Sequence, residues 1–337
     1  MTRVKGRRTG RRAPAHGRPP IARPPTKKAR VEIVEVALRD GLQNEAAIVS
    51  LEDRVKIAEQ LIIAGVKRLE LGAFVRADRV PQMAGTKELV KRVYQDLGLS
   101  SSKQSAVCPS ALVPNLRGFE EAMQTPIGEI AVFTAASESF AKANINCSIE
   151  ESFERFIPVI KAAKQKGLRV RGYLSTCFGC PYEGEVDEKK VVELASRLLR
   201  MGCFEISIGD TIGVATPKQV ISLFRRLKRK IPIRRLAGHF HDTRGTALAN
   251  IFAAHGLGVR VFDSSLGGLG GCPYAPSASG NVSTEDVVYM FHGMGVETGI
   301  DLRKLVELSR LLGGMVGKLL QSRTGQAGLP KVSRLNS

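Results

Sequence analysis

No apolar run in this chain reaches the ~18 residues that a membrane-spanning helix requires, so a soluble protein is expected. Residues 1–30 contain no acid and no serine, and Val4 and Ile21 are their only large aliphatics. Such a segment cannot bury enough surface to fold. Eleven of the 51 Lys and Arg residues lie there, so this stretch carries over half of the formal net charge of +19. A mitochondrial presequence is also basic and acid-poor, but it forms an amphipathic helix and usually carries serines. Here five prolines break any helix. Residues 1–30 therefore read as a disordered basic tail, and the expected compartment is the cytoplasm rather than the mitochondrial matrix. Weak nucleic-acid contact is the most that charge alone suggests for it. Residues 326–337 are expected to form a second, flexible tail.

Cysteine is sparse, with six residues in 337 and no secretory signal before them. They read as reduced thiols rather than a disulfide framework. Cys177 and Cys180 form a C-x-x-C, but no second ligand pair stands at a zinc-site spacing. The motif is read as a strand-end loop.

Residues 31–325 are where a fold is expected, because short β-branched runs alternate there with long stretches of helical periodicity. Strands are expected near 31–36, 66–71, 105–108, 128–133, 168–174, 203–208, 236–240 and 259–263. Helical segments include 51–64, 149–166, 187–201 and 217–230. Ser50 with Asp53 opens the first of these in a pattern close to a capping box, and Ser148 opens the second in the same manner. Eight β units joined by helical crossovers point to an α/β fold, a (β/α)8 TIM barrel. An open doubly wound sheet would carry a Gly-rich fingerprint after its first strand, and 37–45 has none. Further C-terminal helices, near 284–293 and 301–320, are expected to pack beside the barrel or to form an interface.

In such barrels chemistry sits at the C-terminal ends of the strands. The conspicuous polar residues fall there: Arg39 and Asp40, Glu70, Asp210, His239 and His241, and Cys272. The chain has five histidines, and two of them form an H-x-H at a strand end. Strand side chains alternate, so both imidazoles point the same way. Two imidazoles alone suit zinc or copper; a carboxylate with an amide or water shifts the preference to Mg²⁺ or Mn²⁺. Asp40 is the best carboxylate. Asp40-Gly41 and Gly280-Asn281 also suit ordinary turns.

The segments EVALRDGLQNE (35–45), VPQMA (80–84), NINCSIEESFERF (144–156), EISIGDTIGV (205–214), HFHDTRGTALANI (239–251) and GLGGCPYA (268–275) together resemble the 3-hydroxy-3-methylglutaryl-CoA (HMG-CoA) lyase family, over about residues 31–300. The resemblance implies a divalent cation, Mg²⁺ or Mn²⁺, held by Asp40, His239, His241 and Asn281. It implies retro-Claisen cleavage of HMG-CoA, or a related 3-hydroxy-3-alkylglutaryl-CoA, to acetyl-CoA and acetoacetate or another 3-oxo acid, as in leucine breakdown. The partner is then an acyl-CoA thioester, and a homodimer is the expected assembly. Arg39 would bind substrate and stabilise the enolate charge, since a guanidinium stays charged and offers directed N–H groups. Glu70 would orient Arg39. Cys272, in a Gly-rich loop able to close over substrate, would protonate the enolate carbon. Asp210 would contact substrate or assist proton removal, and Asn144, in the loop after strand four, and Ser207 would lie on the substrate side.

Leu38 stands where these lyases commonly have proline, Ala73 where they carry a serine and Arg244 where they carry a tyrosine; Arg76 or Arg79 is the candidate replacement for that serine. The RDG and HxHD elements are shared with isopropylmalate-type synthases and carboxyltransferase barrels. The rival reading is therefore a Claisen condensing synthase joining acetyl-CoA to a 2-oxo acid. Such enzymes carry a Glu-Arg pair in the late Gly-rich loop, where this chain has Cys272-Pro273-Tyr274.

Overall fold

A computed structural model describes residues 29–100, 106–270 and 280–330. The two tails, apart from Ala29, Arg30 and residues 326–330, fall outside the described residues, as does Cys272. Eight parallel strands close a barrel in sequence order: β1 Glu32–Glu35, β2 Arg68–Ala73, β3 Cys108–Leu112, β4 Glu129–Ala135, β5 Arg169–Ser175, β6 Glu205–Asp210, β7 Leu236–Phe240 and β8 Val261–Ser264. Closure comes from β1 pairing with β8, Val34 beside Asp263. Helices follow the strands as a TIM barrel demands, and the serine caps are made. Ser50 Oγ accepts the N–H of Asp53, and Ser148 with Glu151 forms a full capping box.

Three sequence expectations shift. The third strand runs over Cys108–Leu112 rather than 105–108. Pro109 argues against a strand because it lacks an N–H. A parallel strand bonds alternately to its two neighbours, however, so Pro109 removes a single rung. The helix expected over 301–320 stops at Val316, where Gly317 takes the left-handed conformation at φ 67°. A short helix, Arg323–Ala327, then crosses the boundary expected at 325. The Asp286 carboxylate holds it by accepting the N–H groups of Arg323 and Thr324 at 3.0 and 2.7 Å.

Strand alternation splits the barrel into an apolar shell and an ionic centre. In β2, Leu69 and Leu71 face the helices while Arg68 reaches across the interior to Glu205 of β6 at 3.0 Å and Glu129 of β4 at 3.2 Å. Arg171 of β5 bonds Glu205 at 2.8 Å and Asp263 of β8 at 2.7 Å. All five ions are buried. Buried ions persist only when paired like this, and the interior here replaces the aliphatic layers common in such barrels. Phe156, Phe224 and Phe291 belong to the apolar core outside the strands. Among the described residues no helix is long and apolar enough to cross a membrane.

Glu35, fully buried at the end of β1, ties two rim loops together. One oxygen accepts the N–H groups of Ala37 and Leu266, both at 2.9 Å, and the other accepts the Thr284 hydroxyl at 2.6 Å. Burial pushes its carboxyl up to about 7, the hydrogen bonds offsetting only part of the desolvation. Since the unfolded chain releases this proton nearer 4.5, stability is full below that pH and falls as pH rises towards 7. Glu35→Gln is therefore expected to flatten the decline between pH 5 and 8, a span of about 3 kcal/mol at most. Urea unfolding across that range measures it; an unchanged slope would mean that another group carries the pH dependence.

Candidate functional site

The chain leaves β1 through a five-residue π-turn, Ala37–Gly41, in which Gly41 N–H bonds Val36 C=O at 3.1 Å. Such turns favour functional sites because they re-aim side chains. Leu38 is buried beneath it, and Arg39 and Asp40 face the barrel mouth. Position 41 needs glycine for close approach: a Cβ there would lie 2.8 Å from Ser265 Oγ and 3.3 Å from Leu269 O.

Arg39 is held on three sides. Its Nε donates to Glu70 Oε2 at 2.6 Å, its Nη1 to Asp40 Oδ1 at 2.5 Å, and its guanidinium lies 5.2 Å from the centre of the Tyr173 ring. Tyr173 donates its hydroxyl to the same Glu70 oxygen at 3.2 Å. Glu70 thus bonds both Arg39 and Tyr173, and the tyrosine completes the clamp. Asp40 turns Oδ2 to both histidines, with His239 Nε2 and His241 Nε2 each 3.8 Å away. Burial opposes its ionisation, but Arg39 and the two imidazoles outweigh that and hold the carboxyl well below the usual range.

Ligand atoms of Asp40, His239 and His241 all lie within 4.8 Å of one another. An ion with bonds of ~2.1 Å sets its ligands about 3–4 Å apart, so the spacing fits a divalent cation better than direct hydrogen bonding. Asn281 sits opposite His241 in a β-bridge and donates its amide N–H to Asp40 Oδ2 at 2.8 Å. To serve as a ligand it would present its oxygen instead. Arg39, Asp40, His239 and His241 line a cavity of about 140 Å³ together with Tyr173 and Ser207.

Residues 30–312 match the family model described as HMGL-like. The chain belongs to the HMGL-like family. A Pseudomonas aeruginosa protein named 3-hydroxy-3-isohexenylglutaryl-CoA/hydroxy-methylglutaryl-CoA lyase is 47% identical over 302 residues, covering 90% of this chain and 98% of that one. The hydroxymethylglutaryl-CoA lyase of Pseudomonas mevalonii is 48% identical over 297 residues, covering 88% and 96%. A solved HMG-CoA lyase from Acinetobacter baumannii, in complex with coenzyme A and 3-methylmalate, superposes with a TM-score of 0.83 at 34% identity, covering 90% and 96%.

Within this HMGL-like barrel the remaining candidates divide. Ser207 lines the cavity, but its hydroxyl donates to Asp263 at 2.7 Å. Asn144 reaches the cavity from the helix Glu138–Ile145, not from a loop. Asp210 closes β6, but its two oxygens accept the N–H groups of Val214 and Ala215 at 2.9 and 3.0 Å, shaping the loop that follows. Arg244 braces the same loop through the carbonyls of Ile212 and Gly213. Cys272 lies outside the described residues; of the residues flanking that stretch in sequence, Gly280 bonds Gly270 C=O through its N–H at 3.3 Å. Cys177 and Cys180 are buried free thiols after β5, as the loop reading requires. Ala73 lies at a second cavity of about 730 Å³, which shares Gln43, Leu112, Phe133 and Asn144 with the first. Arg76 lines it too but is paired with Asp78, while Arg79 stands exposed at its edge.

Sequence reading missed Tyr173 and Asp263. An acid closing the expected strand 259–263 was a usable signal for Asp263; nothing in the sequence around Tyr173 marked it.

Proposed function

We propose that this chain is a divalent-metal-dependent lyase that breaks the bond between the second and third carbons of HMG-CoA, or of a related 3-hydroxy-3-alkylglutaryl-CoA, to release acetyl-CoA and a 3-oxo acid. One observation carries the reading: a locked arginine adjoins a carboxylate and two imidazoles spaced for one cation, in a single small cavity. A cation held by Asp40, His239 and His241, with Asn281 beside them, would supply Lewis acidity towards the substrate's oxygens, and the carboxylate added to the two imidazoles shifts the preference towards Mg²⁺ or Mn²⁺. Arg39 answers the other demand of the reaction. The 3-hydroxyl gives up its proton to a base, the role proposed for Asp210, and becomes the carbonyl of the 3-oxo acid. As the carbon–carbon bond breaks, its electrons move onto the thioester as an enolate, and the guanidinium places fixed positive charge beside that oxygen. Glu70 and Tyr173 keep it aimed. Ser207 and Asn144 border the acyl group, and Asp210 also shapes the loop after β6.

The larger neighbouring cavity, lined by Ala73, Leu112, Phe133 and Phe156 together with Arg79, Arg155 and Asn146, has room for an acyl branch bulkier than methyl. The test is purified protein with Mg²⁺ or Mn²⁺ and a panel of 3-hydroxy-3-alkylglutaryl-CoA thioesters, scored for acetyl-CoA. Release from HMG-CoA and from longer-branched members is expected. No release from any of them, with product formed instead from acetyl-CoA and a 2-oxo acid, would favour a condensing enzyme.

The enolate carbon takes a proton from the Cys272 thiol. Cys272→Ala is expected to lose most turnover, by ~10²-fold as for other positioned acids, while metal and substrate still bind. A thiol-alkylating reagent should inactivate the wild type, with substrate analogue protecting, because the thiolate is the attacking form. Near-normal turnover in the alanine variant would assign the proton to another donor.

A further inference from the structure

Asp263 belongs to no role assigned so far, yet it sits where the ionic interior of the barrel meets the histidine pair. The β7–β8 register places it directly beside His239. Its Oδ2 lies 3.1 Å from His239 Nδ1 and accepts the Ser207 hydroxyl at 2.7 Å. Arg171 grips both oxygens, Nη2 to Oδ1 at 2.7 Å and Nη1 to Oδ2 at 3.2 Å. The whole arrangement is buried.

We propose that Asp263 is a positioning residue that fixes the tautomer of His239, and that Arg171 holds it to that task; the inference rests on the metal-site reading above. With a guanidinium and a hydroxyl already donating to it, the carboxylate can only accept from the imidazole. The ring proton is thereby kept on Nδ1, and the Nε2 lone pair faces Asp40, 3.8 Å away. An outer carboxylate of this kind sets ring orientation and raises the basicity of the metal-facing nitrogen. Charge balance alone does not require Asp263 here, because Arg171 also bonds Glu205 at 2.8 Å.

Asp263→Asn separates the two roles. The amide oxygen stays on the Arg171 fork, so the NH₂ group faces Ser207 and His239. Ser207 can rotate to accept. His239 can accept only by moving its proton to Nε2, the atom that must bind the cation. Calorimetric titration with Mn²⁺ should show affinity weakened about 10–100-fold. Nitrogen-15 spectra of the metal-free protein should show His239 protonated on Nδ1 in the wild type and on Nε2 in the variant. Glu205→Gln strips the other carboxylate from Arg171 and is the structural control: it should lower thermal stability and leave Mn²⁺ affinity essentially unchanged.

Three results would overturn the inference: an Nε2–H tautomer in the wild type, Mn²⁺ binding by Asp263→Asn as tight as wild type, or equal weakening by Glu205→Gln. If Asp263→Asn does not fold, the wild-type spectrum decides. A wild type that binds no Mn²⁺ would defeat the metal-site reading instead, and the same spectrum would still judge the role of Asp263.

Discussion

Arg39→Met is expected to lower turnover by at least ~10²–10³-fold at saturating substrate and metal, the usual cost of losing one directed donor to a developing oxyanion, and by more if the full cation matters. Methionine keeps an unbranched apolar stem while removing the charge and the guanidinium's contact with the Tyr173 ring. The change falls on the rate rather than on substrate binding if Arg39 acts on charge that exists only as the bond breaks. It carries a stability cost as well. Glu70 is wholly buried and loses the cation bonded to it at 2.6 Å, and breaking such a pair typically costs ~3–5 kcal/mol unless the carboxyl takes up a proton. Burial already pushes Glu70 above its usual value despite the nearby Arg39, so it is disposed to do so. Metal binding should survive, because Asp40, His239 and His241 are all retained. Steady-state kinetics beside Mn²⁺ calorimetry on one preparation of folded variant reads both. A loss under about tenfold in turnover would move the enolate role to another residue.

The polar residues at the strand ends were legible in the sequence, and the side chains that brace them were not. Arg39, Asp40, His239, His241 and Glu70 were legible because strand alternation and barrel polarity fix where a polar side chain at a strand end must point. β7 was read to the residue, LAGHF, since its flanks change composition sharply. Tyr173 and Asp263 were not assigned because their work lies in contacts between strands distant in sequence, Tyr173 to Glu70 across 103 residues and Arg171 to Asp263 across 92. The same limit hid the Arg68–Glu129–Glu205 cluster, whose members each look like an ordinary polar residue in an alternating strand. The π-turn at Ala37–Gly41 was invisible as a conformation. Asp-Gly reads as a turn, and only the packing of Gly41 against Ser265 and Leu269 explains its i→i+5 form. Asp210 shows contacts that the sequence did not reveal. Its place at a barrel strand end suggested chemistry, while its two oxygens are engaged by the backbone of the next loop.

Asp40→Ala and His239→Ala are expected to abolish activity at ordinary metal concentrations by weakening divalent-cation binding more than ~100-fold, beyond what loss of an outer-shell partner costs. The two variants fail differently. Alanine at 40 removes the only carboxylate of the three-residue cluster and leaves Arg39 Nη1 and the Asn281 amide without the oxygens they now reach. The cluster then holds two imidazoles and no carboxylate, beside the Arg39 guanidinium that Glu70 still holds in place, so added metal should not restore turnover. Alanine at 239 keeps the negative charge and His241, and it frees Asp263, still gripped by Arg171, from its imidazole partner. Excess Mn²⁺ should therefore return part of the turnover in His239→Ala. Calorimetric titration of both proteins, followed by activity against metal concentration, measures each step. Equal and unchanged affinity in both would remove these residues from the metal site, while rescue of Asp40→Ala by metal would show that the carboxylate's charge is not what makes the cluster a cation site.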